Sequence, residues 1–335
     1  DDGTINGASV IDDYPMLLNG EVWPRNANWR YQGLTALHTA IAQSLNTCAV
    51  RTNLAYGVSN SYDFLVNKLG FENLTYTDSQ QVGNMALGGF EKGVTTEEMS
   101  AAYAAFVNEG VYTKPRTFIR VEDANGNVVL ENEAQSTVAM KNTTAAIINH
   151  LLQEAALNGT GYEAQFSGMH IAGKTGSTNS NKDRYFVGYT PYYSCAVWAG
   201  YEHNQRIVAS GNPCSAVFRK VMSAIHEDLP DKDFFSCSGL TSVAVCADSG
   251  MLASENCALD VRGSRVYTAL VAADNAPTAV CTMHTAPTYT VNMADSDGNV
   301  TTVTGSVLNY QRELIEGHDE IVVEDAFMML GGWNG

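Results

Sequence analysis

Apolar residues recur at helical spacing in residues 33–55, "GLTALHTAIAQSLNTCAVRTNLA", at Leu34, Leu37, Ile41 and Leu45. The polar "SLNT" inside that run predicts two helical pieces with a break between them. "SYDFLVNKLGF" predicts a short amphipathic helix closed by Gly70. Thr95 and Glu98 have capping-box spacing, and Met99, Ala102, Tyr103 and Phe106 then share one face, with Gly110 and Pro115 ending the helix. Two alternating runs around Asn125-Gly126 predict a hairpin. "TAAIINHLLQEAAL" predicts a further helix that stops at Asn158-Gly159.

Three strand-like runs follow: "MHIAGKT", "YFVGYTP" and "SCAVWAGYE". A helix is expected to start at Pro213, with Val217, Val221, Met222 and Ile225 as its apolar stripe. Beyond Pro230 the helical period fades, and Cys, Ser, Thr and Gly rise. A second hairpin is expected around Asp297-Gly298. This change of texture predicts a boundary near residue 228, with one domain over 1–228 and a Cys/Ser/Thr-rich extension over 229–335.

The bulk numbers narrow the function classes. A 335-residue chain with 45% hydrophobic residues suits one large domain plus an appendage. A net charge of −17 with no basic run argues against a nucleic-acid partner. No stretch approaches the length of apolar sequence that crosses a bilayer. The chain opens "DDGTINGASV", without initiator Met or signal peptide, and reads as a piece whose beginning lies elsewhere. Cys48, Cys195, Cys214, Cys237, Cys246, Cys257 and Cys281 are scattered. The lack of any Cys-x-x-Cys pair argues against zinc, so no metal is expected. One or two disulfides in the C-terminal third and simple buried thiols both remain open.

The sharpest motif is "GMHIAGKTGSTNS", residues 168–180, which has two readings. Gly168 to Thr175 fits the phosphate-loop pattern, whereas Lys174-Thr175-Gly176-Ser177 fits the Lys-Thr-Gly element of penicillin-interacting serine enzymes. A phosphate loop needs a strand before its first Gly and a helix from its Lys onward. Here a polar loop precedes Gly168, and the Gly/Asn/Ser-rich "GSTNSNKDR" follows. The carboxylates available for a magnesium ion, Glu324 and Asp325 in "EIVVED", lie far downstream. The second reading needs a strand with no helix after it. On it, an ammonium and two hydroxyls can hold a substrate carboxylate, and Gly176 lets a substrate backbone approach. Of four Ser-x-Asn matches, only Ser44-Leu45-Asn46 falls between helical stretches. Its plainer reading is a helix N-cap.

The surroundings resemble a known family. "VWPRNANWRYQGLTALHTAIAQSLNTCAVR", "ALGGFEKGVTTEEMSAAYAAFVNEGVYTKP", "NGTGYEA", "IAGKTGSTNSNKDRYFVGYTP" and "AVWAGYE" resemble, in order, blocks of the transpeptidase domain of bifunctional, class A penicillin-binding proteins. "VCADSGMLASENC" and "PTAVCTMH" resemble the tail of some members. The resemblance covers nearly residues 5–285. One element is missing: none of the eight lysines has a Ser three residues before it, so the chain contains no Ser-x-x-Lys. The nucleophile is expected upstream, together with a glycosyltransferase domain and a membrane anchor.

The resemblance implies an α/β (α+β) fold: an antiparallel sheet flanked by helices, beside a helical lobe, plus an irregular β-rich tail. It implies a serine acyl-enzyme that cross-links the D-Ala-D-Ala stem peptides of peptidoglycan, binds β-lactams, and works on the outer face of the bacterial cytoplasmic membrane. No cofactor is implied. Ser44 is implied to relay protons, Asn46 to bind the acyl-side amide, and Lys174 to supply positive potential. Thr175 and Ser177 are implied to bind the terminal carboxylate, with Gly176 beside them in the substrate-binding strand, and the Ser177 N–H to form half of the oxyanion hole. The rivals are a carboxypeptidase or β-lactamase-type hydrolase, and a non-catalytic β-lactam sensor or pseudo-enzyme.

Overall fold

The computed structural model describes residues 1–294 and 298–312. They form two compact units, one of residue 1 with 53–238, the other of 2–52 with the chain from 239 onward.

In the first unit the predicted helices form where their caps allow. The helix Val58–Leu69 ends at Gly70, whose φ of 68° lies in the left-handed region; a Cβ there would meet the Tyr112 hydroxyl at 2.6 Å. The helix Thr96–Val107 starts with the Thr95/Glu98 capping box. Glu98 also accepts the Glu72 N–H at 2.8 Å, so one nearly buried carboxylate ties the helix to the chain before it. Leu69, Phe71, Ala102, Ala105, Tyr112 and Met140 build this unit's first core. The hairpin of Arg120–Glu122 with Val128–Glu131 forms as predicted, with Gly126 at φ 85°, but both of its faces are exposed.

A three-stranded antiparallel sheet carries the second core. Its order is Ser194–Gly200, Asp183–Tyr189, Ala172–Ser177. The helices Asn142–Leu157 and Pro213–Ile225 pack on it. Phe186 and Phe218 meet edge-on at 4.7 Å. The Tyr189 hydroxyl donates to Asn149 Oδ1 at 2.6 Å. The predicted stripe of the helix Pro213–Ile225 needs correction. Cys214, Ser215, Phe218 and Met222 are its buried residues, while Val217, Val221 and Ile225 are exposed. The period was right and the phase was wrong, because Phe218 fills the space above the sheet beside Phe186.

In the second unit, Val10–Asp13 pairs antiparallel with Gly33–Ala36, so the first of the expected helical pieces starts only at Leu37. Leu240–Cys246 pairs with Val266–Ala272 over a core of Ala8, Val245, Ala269 and Val271. His284–Ala294 pairs with Val300–Leu308, the hairpin expected here. Asp297 at its tip lies outside the described residues, as do Glu324 and Asp325. Fold class is as expected: antiparallel sheets with helices, and strands dominating after residue 239.

Candidate functional site

Lys174, Thr175, Gly176 and Ser177 occupy the last four positions of the strand Ala172–Ser177. They face Val187, Phe186, Tyr185 and Arg184 across the ladder. The strand is at one edge of its sheet among the described residues, so its outer side has no neighbouring strand. Such an edge can take up an extended peptide by main-chain hydrogen bonds. A Cβ at Gly176 would press on the Tyr185 Cβ at 3.1 Å, so glycine keeps this part of the face low.

After Ser177 there is only the short 3₁₀ turn Asn179–Asn181. No helix starts at Lys174 or just after it, so the phosphate-loop reading fails on the structural context it requires. The half-buried Lys174 donates to the Thr175 carbonyl at 3.2 Å. Burial lowers its pKa from 10.5 to about 8. Thr175 Oγ1 donates to Thr160 Oγ1 at 2.7 Å, and Ser177 Oγ accepts from Arg184 Nη1 at 3.1 Å. Arg184 thus adds a second cation beside the Lys-Thr-Gly strand. Sequence reasoning missed it, because nothing in the strand's alternation marks an arginine directly across from Ser177.

Ser44 and Asn46 belong to the second unit. They lie at the break between the helices Leu37–Ala42 and Asn46–Tyr56, where the polar interruption placed it. Ser44 is exposed and has φ 59°, a left-handed conformation that costs a non-glycine residue free energy and is found at functional turns. Leu45 is buried with Ala40 and Cys48, which pins the turn between two polar side chains. Burial pushes the Cys48 thiol up to about 12.

A buried polar network holds this turn in place. Asp13, fully buried, accepts from Asn26 Nδ2 at 2.8 Å, from the Gln32 N–H at 2.9 Å and from the Thr47 hydroxyl. Asn26 Oδ1 in turn accepts the Asn46 N–H at 2.9 Å. The Asn46 side chain donates to the Arg25 carbonyl at 2.8 Å. Asn26 and Thr47 lie within the first block of the resemblance, whereas Asp13 lies outside every block quoted for it.

Two other Ser-x-Asn matches have structural tasks. Asn212 caps the helix Pro213–Ile225, accepting the Cys214 N–H at 3.0 Å and donating to the Tyr185 carbonyl at 2.9 Å. Asn256 donates to the His284 carbonyl at 3.0 Å.

A Lys-Thr-Gly edge strand in a helix-flanked antiparallel sheet is the pattern of the penicillin-interacting serine enzymes. Residues 1–223 match the penicillin binding protein transpeptidase domain, and residues 236–286 match the C-terminal domain of penicillin-binding protein 1A. The chain belongs to the penicillin-binding protein transpeptidase family. It is similar to penicillin-binding protein 1A of Clostridium perfringens, 34% identical over 313 residues, covering 89% of this chain and 37% of that protein. A Clostridium novyi penicillin-binding protein 1A is 35% identical over 291 residues, covering 83% of this chain and 33% of that one. The chain therefore spans about a third of the length of these relatives. The fold is shared with the crystal structure of penicillin-binding protein 1A from Haemophilus influenzae. Its TM-score is 0.67 at 21% identity, over 82% of this chain and 46% of that one. No helix among the described residues is long and apolar enough to cross a membrane.

Proposed function

We propose that this chain is the transpeptidase region of a bifunctional penicillin-binding protein, with the domain over 1–228 and an extension over 229–335. The substrate is the D-Ala-D-Ala end of a peptidoglycan stem peptide, and β-lactams occupy the same site. The protein acts at the outer face of the bacterial cytoplasmic membrane. A membrane anchor and a glycosyltransferase domain precede this region.

The reaction has two acyl transfers. A serine preceding residue 1 attacks the carbonyl carbon of the penultimate D-alanine. The peptide C–N bond breaks, the serine proton passes to the leaving nitrogen, and D-alanine departs. An amine of a neighbouring stem then attacks the ester, a peptide bond forms, and the serine regains its proton. Ser44 relays these protons. Asn46 hydrogen-bonds the acyl-side amide. Lys174, Thr175 and Ser177 hold the terminal carboxylate, with Gly176 leaving room for the substrate backbone. The Ser177 N–H is one oxyanion donor; such a donor contributes about 3–4 kcal/mol to lowering the barrier.

One observation carries this reading: Lys174-Thr175-Gly176 ends an edge strand that no helix follows. Labelling with a fluorescent penicillin tests it. The 335-residue chain is expected to take up no covalent label, because it contains no Ser-x-x-Lys. A longer protein with that motif ahead of these residues is expected to label. There Lys174→Ala slows labelling by well over tenfold and Lys182→Ala leaves it nearly unchanged. Label mapped to a serine within these 335 residues, or equal losses in the two variants, would overturn the assignment.

A further inference from the structure

The densest cluster of reactive side chains lies away from the residues assigned above. Cys246 ends a strand, Cys257 sits in the short helix Glu255–Ala258, Cys281 lies in the loop after the strand Val266–Ala272, and His284 opens the strand that follows that loop. All four are nearly inaccessible, at 0, 0, 4 and 1% exposure. Their sulfur and nitrogen ligand atoms all lie within 4.8 Å of one another. His284 Nδ1 is 3.5 Å from Cys246 Sγ and 3.6 Å from Cys281 Sγ.

We infer that Cys246, Cys257, Cys281 and His284 form a structural site for one tetrahedral zinc ion.

The distances suit that ion. With Zn–S about 2.3 Å and Zn–N about 2.0–2.1 Å, the S···N edge of a tetrahedron is about 3.6 Å. A disulfide would join only two of the three sulfurs and leave the third unused; all three are free thiols. Two backbone amides already point at the sulfurs: the Asp248 N–H donates to Cys246 Sγ and the Ser254 N–H to Cys257 Sγ, each at 3.4 Å. The sulfurs bind metal as thiolates, so three thiol protons leave as the ion enters.

The surrounding shell fits as well. The far nitrogen of His284, Nε2, lies 3.2 Å from Asp248 and 3.1 Å from Asp260. Carboxylates on that side hold the proton on Nε2 and leave Nδ1 as the ligand. The same three groups could be read as a second, oxygen-rich metal site. Their carboxylates are instead taken by arginines. Arg262 reaches Asp248 at 2.7 Å and Asp260 at 2.8 Å, and Arg265 reaches Asp248 at 2.9 Å. Two buried anions balanced by two guanidinium groups leave the three sulfurs and Nδ1 as the open donor set. Softness then selects zinc over calcium or magnesium.

The sequence argued against zinc because no two cysteines stand in Cys-x-x-Cys spacing. The ligands instead come from three segments: Cys246, Cys257, and Cys281 with His284 three residues on, a Cys-x-x-His spacing that was the one local signal. Small units with little hydrophobic core commonly need such a staple.

The test uses the whole 335-residue chain, purified under reducing conditions. Elemental analysis is expected to find one zinc per chain. After chelation, added cobalt(II) is expected to give the visible absorption of a tetrahedral thiolate complex. Cys246→Ser, Cys257→Ser and Cys281→Ser should each lower retained zinc at least tenfold, while Cys195→Ser and Cys237→Ser keep it. Thiol-alkylation mapping of the unmutated chain covers the case in which a variant fails to fold. Zinc should protect Cys246, Cys257 and Cys281, and chelation should expose all three together. Absence of zinc with unprotected thiols, a disulfide between any two of the three, or zinc retained in the serine variants would overturn the site.

Discussion

Asn26 donates from Nδ2 to the buried carboxylate of Asp13 at 2.8 Å, and through this contact Asp13 fixes the turn that carries Ser44 and Asn46. Three donors converge on Asp13, so removing the carboxylate leaves all of them unsatisfied in the interior. Asp13→Ala is expected to destabilise the chain by roughly 3 kcal/mol. Urea denaturation of the 335-residue chain checks this. A midpoint unchanged from the parent would show that the network contributes nothing.

Asn46 and Asn212 separate function from structure. In a longer protein with the Ser-x-x-Lys segment, Asn46→Ala should slow penicillin labelling sharply with little change in stability. Asn212→Ala should cost about 1 kcal/mol of stability, the usual worth of an N-cap, and leave the labelling rate of folded protein alone. Labelling rates and melting midpoints of both variants decide it, and the reverse pattern would exchange their assignments.

Arg184 stands beside Ser177 with its guanidinium 3.1 Å from the hydroxyl. Its charge adds to that of Lys174 at the proposed carboxylate position. Arg184→Ala is expected to weaken binding of carboxylate-bearing substrates about tenfold, the low end for a charge-assisted hydrogen bond at a partly exposed site. A β-lactam whose carboxylate is esterified should show no such loss. Equal losses for both compounds would refute a carboxylate role.

Lys174 sets a pH limit. Its pKa is lowered by burial to about 8, so the ammonium is present below that pH and lost above it. Labelling by a carboxylate-bearing penicillin should therefore fall as pH rises through about 8. Stability moves the other way. Between about 8 and 10.5 the unfolded chain binds more protons at this lysine than the folded one, so stability rises with pH across that window. Below it the cost of burying the charge is fully present. Lys174→Met should flatten both trends, measured as labelling rate and as denaturation midpoint against pH.

Gly110 and Gly126 share a left-handed backbone, at φ 86° and 85°, but differ in surroundings. A Cβ at Gly110 would clash with the Met140 carbonyl oxygen, whereas nothing lies within 4 Å at Gly126. Gly126→Ala should cost roughly 1 kcal/mol from backbone strain, and Gly110→Ala roughly 3 kcal/mol from strain plus clash. Comparable denaturation midpoints for the two variants would contradict this.

The sequence by itself determined the local elements and the strand that carries Lys174-Thr175-Gly176. Capping at Thr95, the stop at Gly70 and the break at Ser44 are written in neighbouring residues, because helix ends are satisfied within a turn of themselves. The Lys174-Thr175-Gly176 strand was legible for the same reason: it needed only a strand with no helix behind it. Tertiary structure decided what depends on partners far along the chain. The helix from Pro213 turned Phe218 inward and left Val217, Val221 and Ile225 outside, because the shape of the sheet, and not the helix's own period, chose the buried face. Arg184 met Ser177 through strand register. Asp13 found Asn26 and Thr47 only once the chain had folded back. Cys281 and His284 are three residues apart, but Cys246 and Cys257 come within 4.8 Å of them only through folding. Spacing along a chain reports contacts only within one element; between elements, distance is set by packing, and packing is a property of the whole unit.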